Sequence, residues 1–210
     1  AAGEVVDRPA SVVKELIENA LDAGSTRIDI QLEHGGKDFI QISDNGCGIA
    51  PDELVLAVAS HATSKITSQE DLAEIASLGF RGEAIASIGS VSHLTITSRR
   101  EEDESAMQIV VEGGKVTEPK PIAASIGTTV EVRRLFYNTP VRRKFLKSNG
   151  AETTRVRDVV QRLAASHHDT AMMLKSNERE VLSYTPCTSK ERLLDIFGGE
   201  LQGEMLELSG

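Results

Sequence analysis

PASVVKELIENALDAG, residues 9–24, is the stretch on which the fold turns. Pro9 suits a first helical turn and Gly24 a helix end, so residues 9 to 23 are expected to form one helix. At about 100° per residue, Glu15, Asn19 and Asp22 fall within about 60° of one another. Val13, Leu16, Ile17, Ala20 and Leu21 take the opposite side, so the helix can bury an apolar face and still turn carboxylate, amide and carboxylate toward a cleft. That set suits a metal-bound nucleotide. A carboxylate can take a proton from attacking water, and an amide oxygen can ligate Mg²⁺ beside phosphates that leave few ligands for the protein to supply. Taken alone, the stripe is equally the solvated face of an amphipathic helix.

Downstream, alternating Ile28, Ile30 and Leu32, a Gly35-Gly36 turn, then Phe39, Ile40 and Ile42 predict a hairpin ending at Asp44. Asp44-Asn45-Gly46-Cys47-Gly48 follows directly. Two glycines there let backbone approach a flat ligand, and an ionised Asp, which only accepts hydrogen bonds, can pair with the exocyclic amine of adenine. An Asx turn explains Asp44, Gly46 and Gly48 as well. Pro51-Asp52-Glu53 opens a short helix, and Ser68 with Asp71 caps another that runs to about Ala76. Gly79-Phe80-Arg81-Gly82-Glu83-Ala84 then opens a helix to about Ile88, offering backbone amides and a positive helix end to phosphates, with Lys65 and Arg81 adding charge. Gly127-Thr128-Thr129 begins a strand whose hydroxyl can reach a base directly or through water. Strands are expected near 91 to 98, 107 to 111 and 127 to 133, helices over 152 to 167 and 189 to 197, and a hairpin over 170 to 184. Residues 99 to 106, rich in Glu and Asp, read as a solvated turn.

The 210 residues suffice for one sizeable core. No apolar run approaches the roughly 20 residues of a membrane span, and Cys47 and Cys187 are too few for a disulfide framework, which favours a reducing compartment. The sequence opens at Ala1 without Met or a secretory signal. A net charge of −9 excludes a surface that coats nucleic acid throughout. One basic stretch stands out: Arg133, Arg134, Arg142, Arg143, Lys144, Lys147, Arg155, Arg157 and Arg162 meet only Glu152 and Asp158 as acids. Walker A spacing is missing around Gly36-Lys37 and Gly114-Lys115, which speaks against a P-loop. His61, His93, His167 and His168 lack metal-ligand spacing and are read as structural or surface groups.

Taken together, Glu15-x-x-x-Asn19-x-x-Asp22, Asp44-x-Gly46-x-Gly48, the Gly79 to Gly82 lid and Gly127-Thr128 resemble the four ATP motifs of the GHKL superfamily. Within it, Ala1-Ala2-Gly3-Glu4-Val5-Val6, His61-Ala62-Thr63-Ser64-Lys65, Gly79 to Ala84 and Phe136-Tyr137-Asn138-Thr139-Pro140 resemble the MutL family of mismatch repair ATPases, over roughly residues 1 to 190. The resemblance implies an α/β two-layer sandwich of the GHKL (Bergerat) type, a mixed and mostly antiparallel sheet covered on one face by helices. It implies an ATPase domain over residues 1–198 and, over 199–210, a linker and the first strand of a second domain. It also implies ATP with Mg²⁺, Glu15 as general base and Asn19 as the Mg²⁺ ligand. Asp44 would read adenine and Thr128 would make the second base contact. Asp22, Gly46, Gly48, Lys65, Gly79, Phe80, Arg81 and Gly82 would complete the nucleotide site. ATP binding would order the lid and close a homodimer or paralogue heterodimer around DNA, and hydrolysis would reopen it. DNA would be held without sequence preference, with Arg142, Arg143, Lys144 and Lys147 as its candidate contacts. Partners implied are the mismatch-recognition protein MutS and a downstream nuclease or helicase. The location implied is the bacterial cytoplasm with the nucleoid, or the nucleus of a eukaryote, and no membrane is involved. Ile85 stands where the family usually has Leu. The arm that precedes Ala1 in the family is missing, and the second domain, which sends a lysine to the γ-phosphate, would only begin at Glu204 to Ser209, so slow hydrolysis is expected. Rival readings are the ATPase region of a type II topoisomerase, which lacks the Phe136 to Pro140 signature, and a nucleotide-gated DNA clamp whose turnover is incidental. A histidine kinase would need an upstream phosphoacceptor helix.

Overall fold

Apolar and polar residues alternate along each strand, and this alternation gives a sheet with one covered and one open face. The computed structural model describes residues 6–58 and 81–198, with only the backbone of residues 81–83. Helix α1 (Pro9–Asp22) is followed by β1 (Arg27–Glu33), a 3-10 turn at His34–Gly36 and β2 (Phe39–Asp44). Next come α2 (Pro51–Val58), α3 (Arg81–Ser90), β3 (His93–Arg99), β4 (Ala106–Glu112), the short β5 (Lys115–Val116) and β6 (Lys120–Ile122), and β7 (Gly127–Arg133). The chain ends in α4 (Pro140–Phe145), α5 (Asn149–Ser166), the hairpin β8 (Ala171–Ser176) and β9 (Arg179–Tyr184), and α6 (Ser189–Phe197).

The strands lie in the order β5-β4-β3-β7-β2-β1-β8-β9, with β6 paired to β4. Every pairing is antiparallel except β1 with β8, so the sheet is mixed and mostly antiparallel, as expected. Ile28, Ile30 and Leu32 of β1, Ile40 and Ile42 of β2, Leu94 and Ile96 of β3, and Val130 and Val132 of β7 are buried on one face. Their neighbours Asp29, Gln31, Gln41, Ser43, Thr95, Thr97, Thr129 and Glu131 fall on the other face, as the period of two requires. Helix α1 packs on β2, α2 and α3 pack toward β4, and α5 packs on β8 and β9. The helix layer meets the sheet through Val12, Val13, Leu16, Ile17, Ile88, Val156 and Val160.

The two predicted hairpins form in register, with Ile28 opposite Asp44 and Met172 opposite Tyr184. Helix α5 begins at Asn149 rather than 152, because Ser148 caps it through the backbone N–H of Ala151. Helix α4 and strands β5 and β6 escape the period reading, since none is long enough to show one. The predicted helix over 68 to 76, with Lys65, Gly79 and Phe80, and the boundary over 199–210 lie outside the described residues. Among the described residues no helix is long and apolar enough to cross a membrane.

Candidate functional site

Helix α1 starts where Pro9 removes an N–H that would have no partner, and it ends at Ala23 and Gly24, the latter with φ of 73°. Val12, Val13, Leu16, Ile17 and Ala20 are buried, which fixes the rotation of the helix about its axis and leaves Glu15, Asn19 and Asp22 together on the remaining side. Glu15 is partly exposed, with Lys14 Nζ 3.5 Å from its carboxylate, while Lys14 bonds more closely to Glu18 at 2.8 Å. Asn19 behaves differently. Its Nδ2 is buried without a hydrogen-bond partner, an arrangement that normally costs about 1–3 kcal/mol unless something completes it.

The loop after β2 is sewn to the end of α1. Cys47 N donates to Ala23 O at 3.0 Å, and Asn45 Oδ1 accepts from the backbone N–H groups of Thr26 and Arg27, both at 2.9 Å. The Asn19 turn of the helix and the Asp44 loop are therefore neighbours in space. Asp44 Oδ1 accepts three hydrogen bonds: from Gly46 N at 2.8 Å, Ser25 Oγ at 3.1 Å and Thr128 N at 3.3 Å. Among the described residues no donor reaches Oδ2. One oxygen of this carboxylate thus anchors the loop, and the other keeps its capacity to accept. Burial pushes the Asp44 carboxyl up from its ordinary pKa, against the opposing pull of Gly46, Ser25 and Thr128.

Thr128 sits beside it. Its hydroxyl lies 2.8 Å from Ser98 Oγ, which also accepts from Ile49 N at 2.8 Å and donates to Gly127 O at 3.2 Å. With the single Ser98 proton given to Gly127 O, Thr128 donates to Ser98 and its own lone pairs are left to accept. The glycines serve the chain itself. A Cβ on Gly46 would fall 2.7 Å from Ser25 Oγ, one on Gly48 2.3 Å from Arg99 O, and one on Gly127 2.1 Å from Asp44 O. Asn45, Ser25 and Ser98 were not singled out from the sequence. Asn45 stands in the Asx-type run that could have flagged it, whereas Ser25 and Ser98 enter only through tertiary register.

Asp44, Gly46, Gly48 and Thr128 thus meet at one end of the sheet beside the end of α1 that carries Asn19 and Asp22, and Glu15 stands one turn before Asn19 on the same side of that helix. Arg81 and Gly82 stand in the first turn of α3, which packs beside α1, and the Arg81 side chain lies outside the described residues. Two cavities lie elsewhere, one at α4 and α5 and one beside β6. Of the basic candidates, Arg142 donates to Val6 O and lies 4.5 Å over the Phe136 ring, and Arg143 bonds to Asp38 and Leu135 O. Lys144 and Lys147 are exposed, with no acid paired to either among the described residues. Among the described residues no group of three or more His, Cys, Asp or Glu could hold a metal.

The family described as Histidine kinase-, DNA gyrase B-, and HSP90-like ATPase matches residues 7–133. The DNA mismatch repair protein MutL of Erwinia tasmaniensis is 57% identical over 185 residues, covering 88% of this chain and 30% of the relative. MutL of Neisseria meningitidis is 48% identical over 208 residues, covering 99% of this chain and 32% of the relative. The chain therefore spans about a third of the length of these relatives. Among solved structures, the Aquifex aeolicus MutL ATPase domain complexed with ADP superposes with a TM-score of 0.76 at 33% identity, covering 92% of this chain and 70% of that one. The 43K ATPase domain of Thermus thermophilus gyrase B, at 19% identity, 83% and 45% coverage and a TM-score of 0.57, shares the fold.

Proposed function

Since this chain belongs to the MutL family within the histidine kinase-, DNA gyrase B- and HSP90-like ATPases, we propose that it binds ATP at the Asp44 loop and hydrolyses it with Glu15 as the base. The observation that carries this reading is the divided carboxylate of Asp44, one oxygen held by three donors and the other without a partner among the described residues. An acceptor held that rigidly suits the exocyclic amine of adenine and opposes the carbonyl that guanine presents at the same position. Thr128, within the same hydrogen-bond cluster, makes the second base contact. Glu15 takes a proton from the attacking water, a task for which its partial exposure one turn before Asn19 is suitable.

Asn19 and Glu15 supply amide and carboxylate oxygen, the chemistry Mg²⁺ takes, and the buried, unpartnered Nδ2 of Asn19 is a donor that a phosphate oxygen, not the metal, would satisfy. Magnesium bound with the nucleotide would neutralise phosphate charge. Asp22, Gly46 and Gly48 line the same region, and Lys65, Gly79, Phe80, Arg81 and Gly82 are proposed as the lid and its phosphate contacts. ATP would order that lid and close two copies, or a copy and a paralogue, into a clamp on DNA, with hydrolysis timing release. Arg142, Arg143, Lys144 and Lys147 are the proposed DNA face, and Lys144 and Lys147 present their charge most freely. A role in bacterial mismatch repair is proposed from the relatives' names, and MutS, a downstream nuclease or helicase and a cytoplasmic location from the family resemblance.

The test is equilibrium binding of ATP and GTP, with and without Mg²⁺, together with turnover. ATP should bind at least about tenfold tighter than GTP. Glu15→Ala should retain ATP affinity and lose about 100- to 10,000-fold in turnover. Asp44→Asn should lose affinity, because its amide would place a donor against the adenine amine. Equal loss of binding in both variants would refute the two roles.

A further inference from the structure

A cavity of about 340 Å³ opens between the start of α1, α4 and α5, away from the nucleotide site. Arg8, Arg142, Phe145, Lys147, Glu152 and Arg155 line it. At its wall Glu152 is 1% exposed. Its Oε1 accepts from Lys147 N at 2.8 Å and Arg155 Nη1 at 3.0 Å, whereas Oε2 is buried with no hydrogen-bond partner. A carboxylate oxygen left in that state calls for a donor. The rim has the opposite chemistry. Asp7 is occupied by Arg8 at 2.9 Å and Arg142 is spent on Val6 O, but Lys147 has no acid among the described residues. Phe145 is 79% exposed beside it.

A ligand that satisfies all three must carry an anion for the cations, a flat ring for Phe145 and a hydrogen-bond donor for Glu152. A nucleotide unit has these parts, and a volume near the low end of the roughly 300–1,000 Å³ usual for small-ligand sites holds one such unit and excludes a duplex. We propose that this cavity receives one unstacked base of a DNA strand, with Lys147 on the phosphate, Phe145 stacked on the base and Glu152 accepting from an amino group on its edge. The proposal rests on the reading that α4 and the segment after it face DNA. Carboxylates pair with the cytosine N4 amine, and thymine places a carbonyl at that position. The cavity therefore gives a nominally non-specific DNA face a preference for amino-bearing bases.

The experiment is fluorescence anisotropy of the whole chain with short single-stranded oligo-dC and oligo-dT, with dCMP as competitor. Oligo-dC should bind roughly tenfold tighter than oligo-dT. Glu152→Gln keeps an oxygen for Lys147 N and places an amide donor at the other position, so it should abolish or invert that preference, with thermal unfolding confirming an intact fold. Phe145→Ala, at an exposed position, should weaken both oligonucleotides by about fivefold or more. If dC and dT bind alike, or the preference survives Glu152→Gln, water satisfies Oε2 and the base pocket is wrong. The DNA face would still stand, provided Lys144→Glu with Lys147→Glu weakens both strands. If that pair of changes affects neither strand, the DNA face fails and the pocket with it. Competition by dCMP as strong as that of the strand would make the ligand a free nucleotide and overturn the assignment to DNA.

Discussion

At Asp44 one side chain meets two demands that oppose each other electrostatically. Burial disfavours its charge and raises its pKa, yet reading an amine requires that charge. The folded chain therefore holds a proton on Asp44 at pH values where the unfolded chain has released it. As pH rises from the ordinary aspartate range to the raised value, the unliganded fold loses stability, and above that window the loss is complete and constant. ATP acts the other way: its amine favours the ionised carboxylate, so binding expels the proton. Affinity for ATP should accordingly fall as pH drops through the same window, and the fall should vanish in Asp44→Asn. Calorimetric titration in buffers of different ionisation enthalpy would register the released proton. A wild-type affinity that is flat with pH down to the ordinary aspartate range would contradict the role given to Oδ2. Asn19 shows how far one residue can be read without coordinates. Spacing alone places it on the Glu15 face, but only packing reveals that its amide nitrogen is buried and unpartnered.

Between elements, the site depends on backbones that approach each other closely. The start of β7 passes so near the end of β2 that a Cβ on Gly127 would lie 2.1 Å from Asp44 O, at a φ of 112° that other residues rarely adopt. Gly127→Ala should therefore cost at least about 1–3 kcal/mol in urea unfolding, and it should weaken ATP binding because the displaced atom belongs to Asp44 itself. Retention of both stability and affinity would mean that the strand ends are free to separate. The contrast between legible and hidden parts follows from the same physics. Helix α1, the β1–β2 hairpin and strand β8 carry an apolar period, whereas β9 does not alternate. Helix α4 spans Pro140–Phe145 with no buried residue, so it has no periodic face, and Pro140 at its first turn was the only local sign. The loop Asp44 to Gly48 reads from the sequence as a ligand loop or an Asx turn, with its glycines assigned to ligand approach. They are needed first for contacts with Ser25 and Arg99, which sequence spacing cannot bring together. Ser98 became visible only through its register opposite Thr128.

For the molecule as a whole, charge is divided. A chain of net charge −9 repels the phosphate backbone at long range, so the proposed attraction to DNA would have to come from the short stretch around α4. Within that stretch Arg143 is committed to Asp38 and Arg142 to Val6 O and the Phe136 ring, and these contacts hold α4 against the body of the domain. Phe136 N in turn donates to Val91 O at 2.7 Å and Asn138 Nδ2 to Ser90 O at 2.8 Å, so the basic helix is joined to the end of α3, whose first turn opens toward the proposed lid. The basic helix and α3 are thus linked by hydrogen bonds, a connection that the proposed clamp would use. The electrostatic consequence can be measured. Each phosphate neutralised contributes about −0.9 to the slope of log K against log salt on duplex DNA and about −0.7 on a single strand. With Lys144 and Lys147 free and Arg142 and Arg143 partly engaged, the slope on a single strand should lie at roughly −1.5 to −3. Lys147→Gln should reduce it by close to one phosphate's share. A slope of about −6 or steeper would require cations that this face does not have and would place the DNA on another surface.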